Sequence, residues 1–396
     1  MLSLKRNWDI FLVFLKLGLT SFGGPVAHIG YFREEFVSKR KWLTERDYSD
    51  LVALCQFLPG PASSQVGMAI GLFRGHYAGA VAAWLGFTLP SALLLILFAQ
   101  SLHSWQGTVT SGMLHGLKIV AVAVVAQAVW GMAKSLCTDK IRISIMAAAA
   151  CILLLYTSVF TQVAVIAFGA VAGWLLLPPL KHPIPKEPPL TLHLSRTAAV
   201  CWGLLFITLL VTLPLIAQSS AMLGMIDAFY RAGSLVFGGG HVVLPLLQAE
   251  VVPNGAVSQD IFMAGYGAAQ AVPGPLFTFA AFLGASMNSE PTGINGGIIA
   301  LLAIFAPSFM ILAAVLPFWQ SIRLSPLAQS AMAGVGASVV GVLLAALYQP
   351  VWTDTIGNTQ DFALALLAFV ALMYWKLPPW LIVLAGALTG SLMGTL

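Results

Sequence analysis

The chain has 396 residues, 59% of them hydrophobic and only 8% charged, with a formal net charge of +5. Soluble domains carry about 25% charged residues, so this composition excludes an ordinary soluble protein and points to a polytopic helical membrane protein. Alternating strand segments of about ten residues, which a membrane barrel needs, are absent. The lysines and arginines cluster between apolar segments, as in cytoplasmic loops, so the basic balance does not imply nucleic acid.

In chain order, the first apolar segment lies near 8–38 and is interrupted by "SFGGP" (21–25). Lys16 breaks its apolar run and no A-x-A site follows, so a cleavable signal is not expected. The second segment, near 47–73, is interrupted by "FLPGP" (57–61). Unbroken segments follow near 78–101, 109–133, 141–157 and 159–177, then a Pro-rich stretch, "PPLKHPIPKEPPL" (178–190). After one segment at 197–217 the pattern restarts: broken segments at 223–252 and 259–287, then unbroken ones at 294–319, 328–348, 361–375 and 378–395.

The restart is a duplication. "FLKLGLTSFGGP" (14–25) aligns with "FYRAGSLVFGGG" (229–240), placing Phe14 on Phe229, Lys16 on Arg231 and Gly18 on Gly233. "QFLPGP" (56–61) aligns with "QAVPGP" (270–275), Ser64 with Thr278, "TLPS" (88–91) with "FAPS" (305–308), and more weakly "HGLK" (115–118) with "AGVG" (333–336). Ordered matches at nearly constant offset mark internal repeats. The expected organisation is a first repeat at 1–177, a cytoplasmic linker at 178–196, a joining transmembrane helix at 197–217 and a second repeat at 218–396.

Charge sets the expected topology. If every segment spanned, the loop 33–47, with five basic residues, would lie opposite the other basic loops, against the positive-inside rule. If each broken segment is a re-entrant hairpin, the N-terminus and all basic loops fall on the cytoplasmic side. The joining helix then inverts the second copy. The expectation is an all-α polytopic membrane protein of two inverted repeats, with about nine spanning helices and four re-entrant or broken hairpins. Thr44 and Ser258 read as N-caps opening the second hairpin of each copy.

Backbone breaks are tolerated at membrane depth only where protein buries them or a watery cavity solvates them. After each break a new helix starts, with unpaired N–H groups and the positive end of its dipole. Glycine lets an anion approach the backbone, and proline is tolerated in a first helical turn. Four converging helix starts suit an anion. The candidate binding residues are Gly23, Gly24, Pro25, Gln56, Pro59, Gly60, Pro61, Ser63 and Ser64 in the first copy. In the second they are Gly238, Gly239, Gly240, His241, Gln270, Pro273, Gly274, Pro275 and Thr278.

Lys16 and Arg231, each seven residues before an FGG glycine, and Lys118, near the middle of 109–133, are intramembrane charges, for which a functional role is the default and snorkelling to the interface the alternative. His28 and His241 follow the FGG turns at non-equivalent positions, where either could accept a proton or hydrogen-bond an oxyanion or be packed polar structure, and Glu35 and Glu250 align near hairpin mouths, where a capping or loop salt-bridge role is expected rather than proton coupling. Cys55, Cys137, Cys151 and Cys201 stand far apart with no metal-ligand spacing and are expected to be buried thiols. No catalytic residue, cofactor or metal is expected: HExxH, GxxxxGK[ST] and cysteine pairs are absent.

"FGGPVAHIGYF" (22–32), "FLPGPASSQVGMAIG" (57–71), "FGGGHVVLPLLQAEVV" (237–252) and "QAVPGP" resemble the chromate ion transporter family in its long, two-domain form, over nearly the whole chain. The resemblance implies a bacterial or archaeal inner-membrane secondary transporter that exports chromate and gives chromate resistance, with sulfate as competing oxyanion. The chain departs from an exact repeat in carrying GGG for GGP and a shifted histidine. A sulfate or other oxyanion importer or exchanger, or an anion channel, would use the same scaffold. A homodimer is compatible with the sequence, which contains no residue that argues for it.

Overall fold

The computed structural model describes residues 2–104, 108–156, 158–178, 195–237, 240–319, 322 and 325–393, and these are helical apart from short connections. Most of the linker, together with Gly238 and Gly239, lies outside the described residues.

All four broken segments are broken where glycine and proline predict. In the first copy, α1 (Leu2–Thr20) stops before Gly23 (φ 100°), and α2 (Gly24–Arg33) starts with proline in its first turn and runs on as a π-helix, Glu34–Lys39. Next come α3 (Glu45–Phe57) and, past the PGP turn, α4 (Ala62–Ser104). α4 is two helices in one, because the backbone leaves helical geometry at Gly75 and His76 (φ 53°), which separates the second hairpin's arm from the spanning helix 77–104. In the second copy, α9 (Ala221–Leu235) and α10 (Val243–Val251) flank the GGG break, and α11 (Gln259–Ala269) and α12 (Phe279–Ala285) flank PGP. Thr44 Oγ1 accepts from the Asp47 N–H at 3.1 Å and Ser258 Oγ from the Ile261 N–H at 3.4 Å, so both act as N-caps.

The remaining helices are α5 (Thr108–Leu136), α6 (Lys140–Leu155), α7 (Val159–Leu176), α8 (Arg196–Ile216), α13 (Gly293–Val315), α14 (Pro326–Ala346), α15 (Thr359–Met373) and α16 (Pro379–Met393). Among the described residues five helices, in α4, α5, α8, α13 and α14, are long and apolar enough to cross a membrane. α6, α7, α15 and α16 have 16, 18, 15 and 15 residues. They rise about 22–27 Å at 1.5 Å per residue, less than a hydrocarbon core of about 30 Å. The protein is therefore a multi-pass helical membrane protein, with five clear candidate crossings among the described residues and shorter apolar helices beside them.

The hairpin tips lie near the middle of the spanning helices. α1 runs parallel to 77–104: Gly75 packs on Asn7 and Ile10, and Gly18 packs on the carbonyls of Gly86 and Phe87. In the second copy Gly233, the equivalent of Gly18, packs on the carbonyl of Ile304, near the middle of α13. The two equivalent spanning helices meet antiparallel, with Trp84 against Phe305 (ring centroids 5.6 Å apart) and Gly297 against Ile96. Equivalent helices running in opposite directions are what inverted copies require.

The copies also exchange helices. α15 and α16 of the second copy pack on α5 of the first, while α6 and α7 of the first pack on α14 of the second. Glycines set both crossings: Gly116 lies on the carbonyl of Gly386 and Gly390 on that of Gly112, and Gly334 lies on Gly169 and Gly173. Such small-residue contacts let backbones approach where lipid supplies no hydrophobic drive. Cys55 and Cys137 are buried as expected; Cys151 and Cys201 are exposed, a departure that fits helices whose outer faces meet lipid.

Candidate functional site

Each PGP tip is held by the opposite copy. The Gly60 N–H donates to the carbonyl of Val236 at 2.7 Å, and the Gly274 N–H donates to the carbonyl of Ser21 at 3.0 Å. Ser21 and Val236 are equivalent residues, each one position before an FGG phenylalanine, so one interaction occurs twice about a pseudo-twofold. Both tip glycines have φ values open only to glycine in practice, 121° at Gly60 and 103° at Gly274. Near the same axis a Cβ on Gly240 would fall 3.3 Å from Pro25 Cγ, so the FGGP and FGGG breaks touch as well. All four breaks therefore meet in one region between the copies.

Side chains close around them. A Cβ on Gly274 would fall 2.8 Å from Ser91 Oγ; at Gly60 the equivalent Ser308 Oγ abuts the same position and Gln65 Nε2 lies 2.8 Å from it. Gln65 Nε2 donates to the Pro59 carbonyl at 2.7 Å. His28 is buried and joins hairpin to hairpin. Its Nε2, 3.2 Å from the Ser21 carbonyl, is a donor because a carbonyl only accepts. In the neutral ring Nδ1 then accepts from Ser63 Oγ at 3.4 Å. The Ser21 carbonyl thus takes both His28 and Gly274. On the other side His241 Nδ1 lies 2.7 Å from the hydroxyl of buried Tyr266.

Several polar atoms around the tips are buried without a partner: Ser64 Oγ, Gln65 Oε1, Ser308 Oγ, Ser21 Oγ, Thr88 Oγ1 and Gln270 Nε2. An unpaired buried polar group costs about 1–3 kcal/mol. A cluster of them at converging helix starts is the arrangement a polar ligand would satisfy. The break segments themselves contain no lysine or arginine, so positive potential there comes from backbone N–H groups and helix dipoles.

The other predicted residues are distributed as follows. Pro59, Pro61, Ser63, Pro273 and Pro275 lie in or beside the tips. Thr278 Oγ1 donates to the Pro275 carbonyl at 2.7 Å, so its proton is engaged locally. Gln56 is exposed on α3, and the buried glutamine at the first tip is Gln65. Lys16 is exposed on α1. Lys118 Nζ pairs with Asp260 Oδ1 at 2.7 Å, at the mouth of the fourth hairpin. Arg231 is bound bidentately by Glu250, at 2.8 and 2.7 Å, and also contacts Asp227 at 2.9 Å. Glu35 pairs with Arg40 at 2.6 Å, the local salt bridge expected of it, whereas Glu250 is buried inside the hairpin on Arg231 of the neighbouring helix.

Fold and site together define a helical membrane protein built from two repeats around a shared central region, the architecture of a transporter. The family model for the chromate transporter matches residues 8–174 and again 223–391. The chain belongs to that family. It is 29% identical to an uncharacterized transporter of Methanocaldococcus jannaschii, over 98% of this chain and 96% of the relative. It is 26% identical to a probable chromate transport protein of Synechococcus elongatus (95% and 93% covered) and 26% identical to a chromate transport protein of Cupriavidus metallidurans (96% and 92%). No solved structure matches the chain.

Proposed function

We propose that the protein exports chromate from the cytoplasm across the inner membrane of a bacterium or archaeon, driven by the membrane potential and proton motive force, and so gives chromate resistance. The observation that carries this reading is the reciprocal hold of Gly60 on Val236 and Gly274 on Ser21, which gathers four helix starts beside unpartnered hydroxyls and amides. Those groups suit a tetrahedral dianion, which needs many N–H and O–H donors and no metal. Relatives named as chromate transport proteins support chromate as that dianion; sulfate, of the same shape and charge, would compete. In this reading hairpins 1 and 2 open to the cytoplasm with the N-terminus, and hairpins 3 and 4 open outward.

The direction is favoured electrically. Two negative charges moving out of a negative interior gain about 4.6 kcal/mol per 100 mV, at about 2.3 per charge. At about 1.4 kcal/mol per decade that alone supports on the order of a thousandfold exclusion.

The test is radiolabelled chromate uptake into energised inside-out vesicles, with and without excess sulfate, comparing wild type with Gly60→Leu/Gly274→Leu. Saturable uptake, blocked by sulfate and lost in the inserted double variant, is expected. Absence of uptake by well-inserted wild type would remove chromate as the substrate.

A further inference from the structure

Among the described residues, a buried charge cluster that the binding region does not use is Asp227–Arg231–Glu250 in the third hairpin. Arg231 donates through Nε and Nη2 to the two oxygens of Glu250, at 2.8 and 2.7 Å, and Nη2 also lies 2.9 Å from Asp227 Oδ2. The carboxylate side chains are only 7% and 8% exposed. The cluster has no counterpart in the first copy. There Leu12 stands at the position of Asp227, Lys16 is exposed, and Glu35 turns to Arg40.

With both carboxylates ionised the cluster carries a net charge of −1 within a membrane-embedded hairpin, where uncompensated charge is costly. One proton neutralises it. Glu250 is held by two parallel charge-assisted bonds and Asp227 by one contact, so the proton falls to Asp227. Few other groups compete. Tyr230 on α9 donates to the Phe206 carbonyl. Among the described residues, the elements with the main packing on α9 and α10 (α7, α8, α13, α14 and the turns 217–219 and 240–242) carry as ionisable side chains His241, Cys201 and Arg196, and Asp354 lines a cavity with Gln248 and Ala249 of α10. His241 is engaged with Tyr266, and Arg196 lies ten residues along α8 from Phe206.

We infer that Asp227, braced by Arg231 and Glu250, is a proton-binding site coupled to the transport cycle, an inference that rests on reading the chain as an oxyanion exporter. Arg231 stands five residues before Val236, the residue that holds Gly60. Asp227 and Arg231 both lie on α9 and Glu250 on α10, so protonation of Asp227 leaves Glu250 as the anionic partner of Arg231 in the cluster, shifts the arginine toward α10, and so acts on the tip. Because hairpin 3 opens outward in the proposed topology, the proton loads from outside while the dianion leaves, an antiport.

The test uses full-length protein in proteoliposomes, with potential clamped and pH kept well above the range in which chromate itself is protonated. Wild type is expected to show chromate counterflow and an opposed proton flux during net efflux. Asp227→Asn is expected to exchange chromate still, with the coupled proton flux lost, and Asp227→Glu to restore it. Coupled flux retained in Asp227→Asn, or wild-type efflux without proton movement, overturns the inference. A second arm needs no substrate: infrared titration of the wild-type protein should show a protonated carboxylic acid band that Asp227→Asn removes, and its absence also overturns the inference. Failure of wild-type counterflow would instead strike the chromate reading, leaving the infrared arm to decide the proton site.

Discussion

Gly60 and Val236 lie 176 positions apart in the chain and are joined by one backbone hydrogen bond of 2.7 Å. The bond closes the PGP turn of one copy on the residue that precedes the FGG turn of the other. At φ 121° Gly60 occupies a region that side chains rarely reach, and a Cβ there would also strike Ser308 Oγ. Gly60→Ala is expected to destabilise the protein by about 1–3 kcal/mol and, by displacing the tip, to lower transport at least about tenfold, the equivalent of about 1.4 kcal/mol. Thermal unfolding in detergent and vesicle uptake measure the two effects separately. Gly274→Ala should behave alike, because the second copy repeats the geometry.

Ser308 separates binding from folding. Its hydroxyl is fully buried and has no partner, so removing it relieves an unsatisfied group. Ser308→Ala should be neutral or stabilising by up to about 1 kcal/mol while weakening substrate binding. An apparent KM for chromate unchanged in this variant would remove Ser308 from the site.

Lys118 tests whether an intramembrane cation must serve the substrate. The Lys118 side chain is 13% exposed but its partner Asp260 is 72% exposed, so the pair is screened by solvent at its carboxylate end and contributes about 1 kcal/mol. Lys118→Gln is therefore expected to fold normally and to transport within about twofold of wild type. A loss of transport far beyond that, in a folded variant, would place Lys118 on the substrate path.

The exchanged helices supply a built-in control. Gly334 lies against Gly169 and Gly173, whereas a Cβ on Gly336, two positions along, would meet only Leu136 at 3.7 Å. Gly334→Ala should destabilise by about 1–3 kcal/mol through overpacking. Gly336→Ala should be neutral or stabilising by up to about 1 kcal/mol, the helix preference of alanine over glycine. Thermal stability of the pair in one detergent checks both.

The topology has its own probe. Cysteine placed at Ser38 should react only with reagents reaching the cytoplasmic side, and at Ser289 only with reagents reaching the outside. Both residues are exposed. External labelling at Ser38 would sink the inverted arrangement.

The helix breaks are legible in sequence because glycine and proline report backbone conformation directly, and the duplication is legible because FGG and PGP recur in order. The closure between copies is not. Ser21 and Val236 act through carbonyl oxygens, which carry no residue signature. "TLPS" and "FAPS" align as repeat markers without showing that Ser91 and Ser308 face the glycine tips. Gln56 aligns with Gln270, yet the buried glutamine is Gln65, because helix phase rather than repeat position decides which way α3 presents its side chains. Arg231 reads as the partner of Lys16. The sign that it differs is Asp227 four residues earlier, at the spacing that pairs charges on one helix face. "GAVAG" (169–173) and "GALTG" (386–390) are visible as small-residue motifs, but a motif does not name the helix that receives it.

The exchange of terminal helices has a consequence for how the chain is made. Gly112 and Gly116 of α5 dock on Gly386 and Gly390 of α16, a segment synthesised some 270 residues later. Until the ribosome has made α16, α5 sits in the bilayer with its docking face open to lipid or to whatever insertion factor shields it. A chain stalled or truncated before Pro379 would therefore leave a defect in its first half, far from the lesion itself, and quality-control proteases that recognise unpacked membrane helices would meet it at α5.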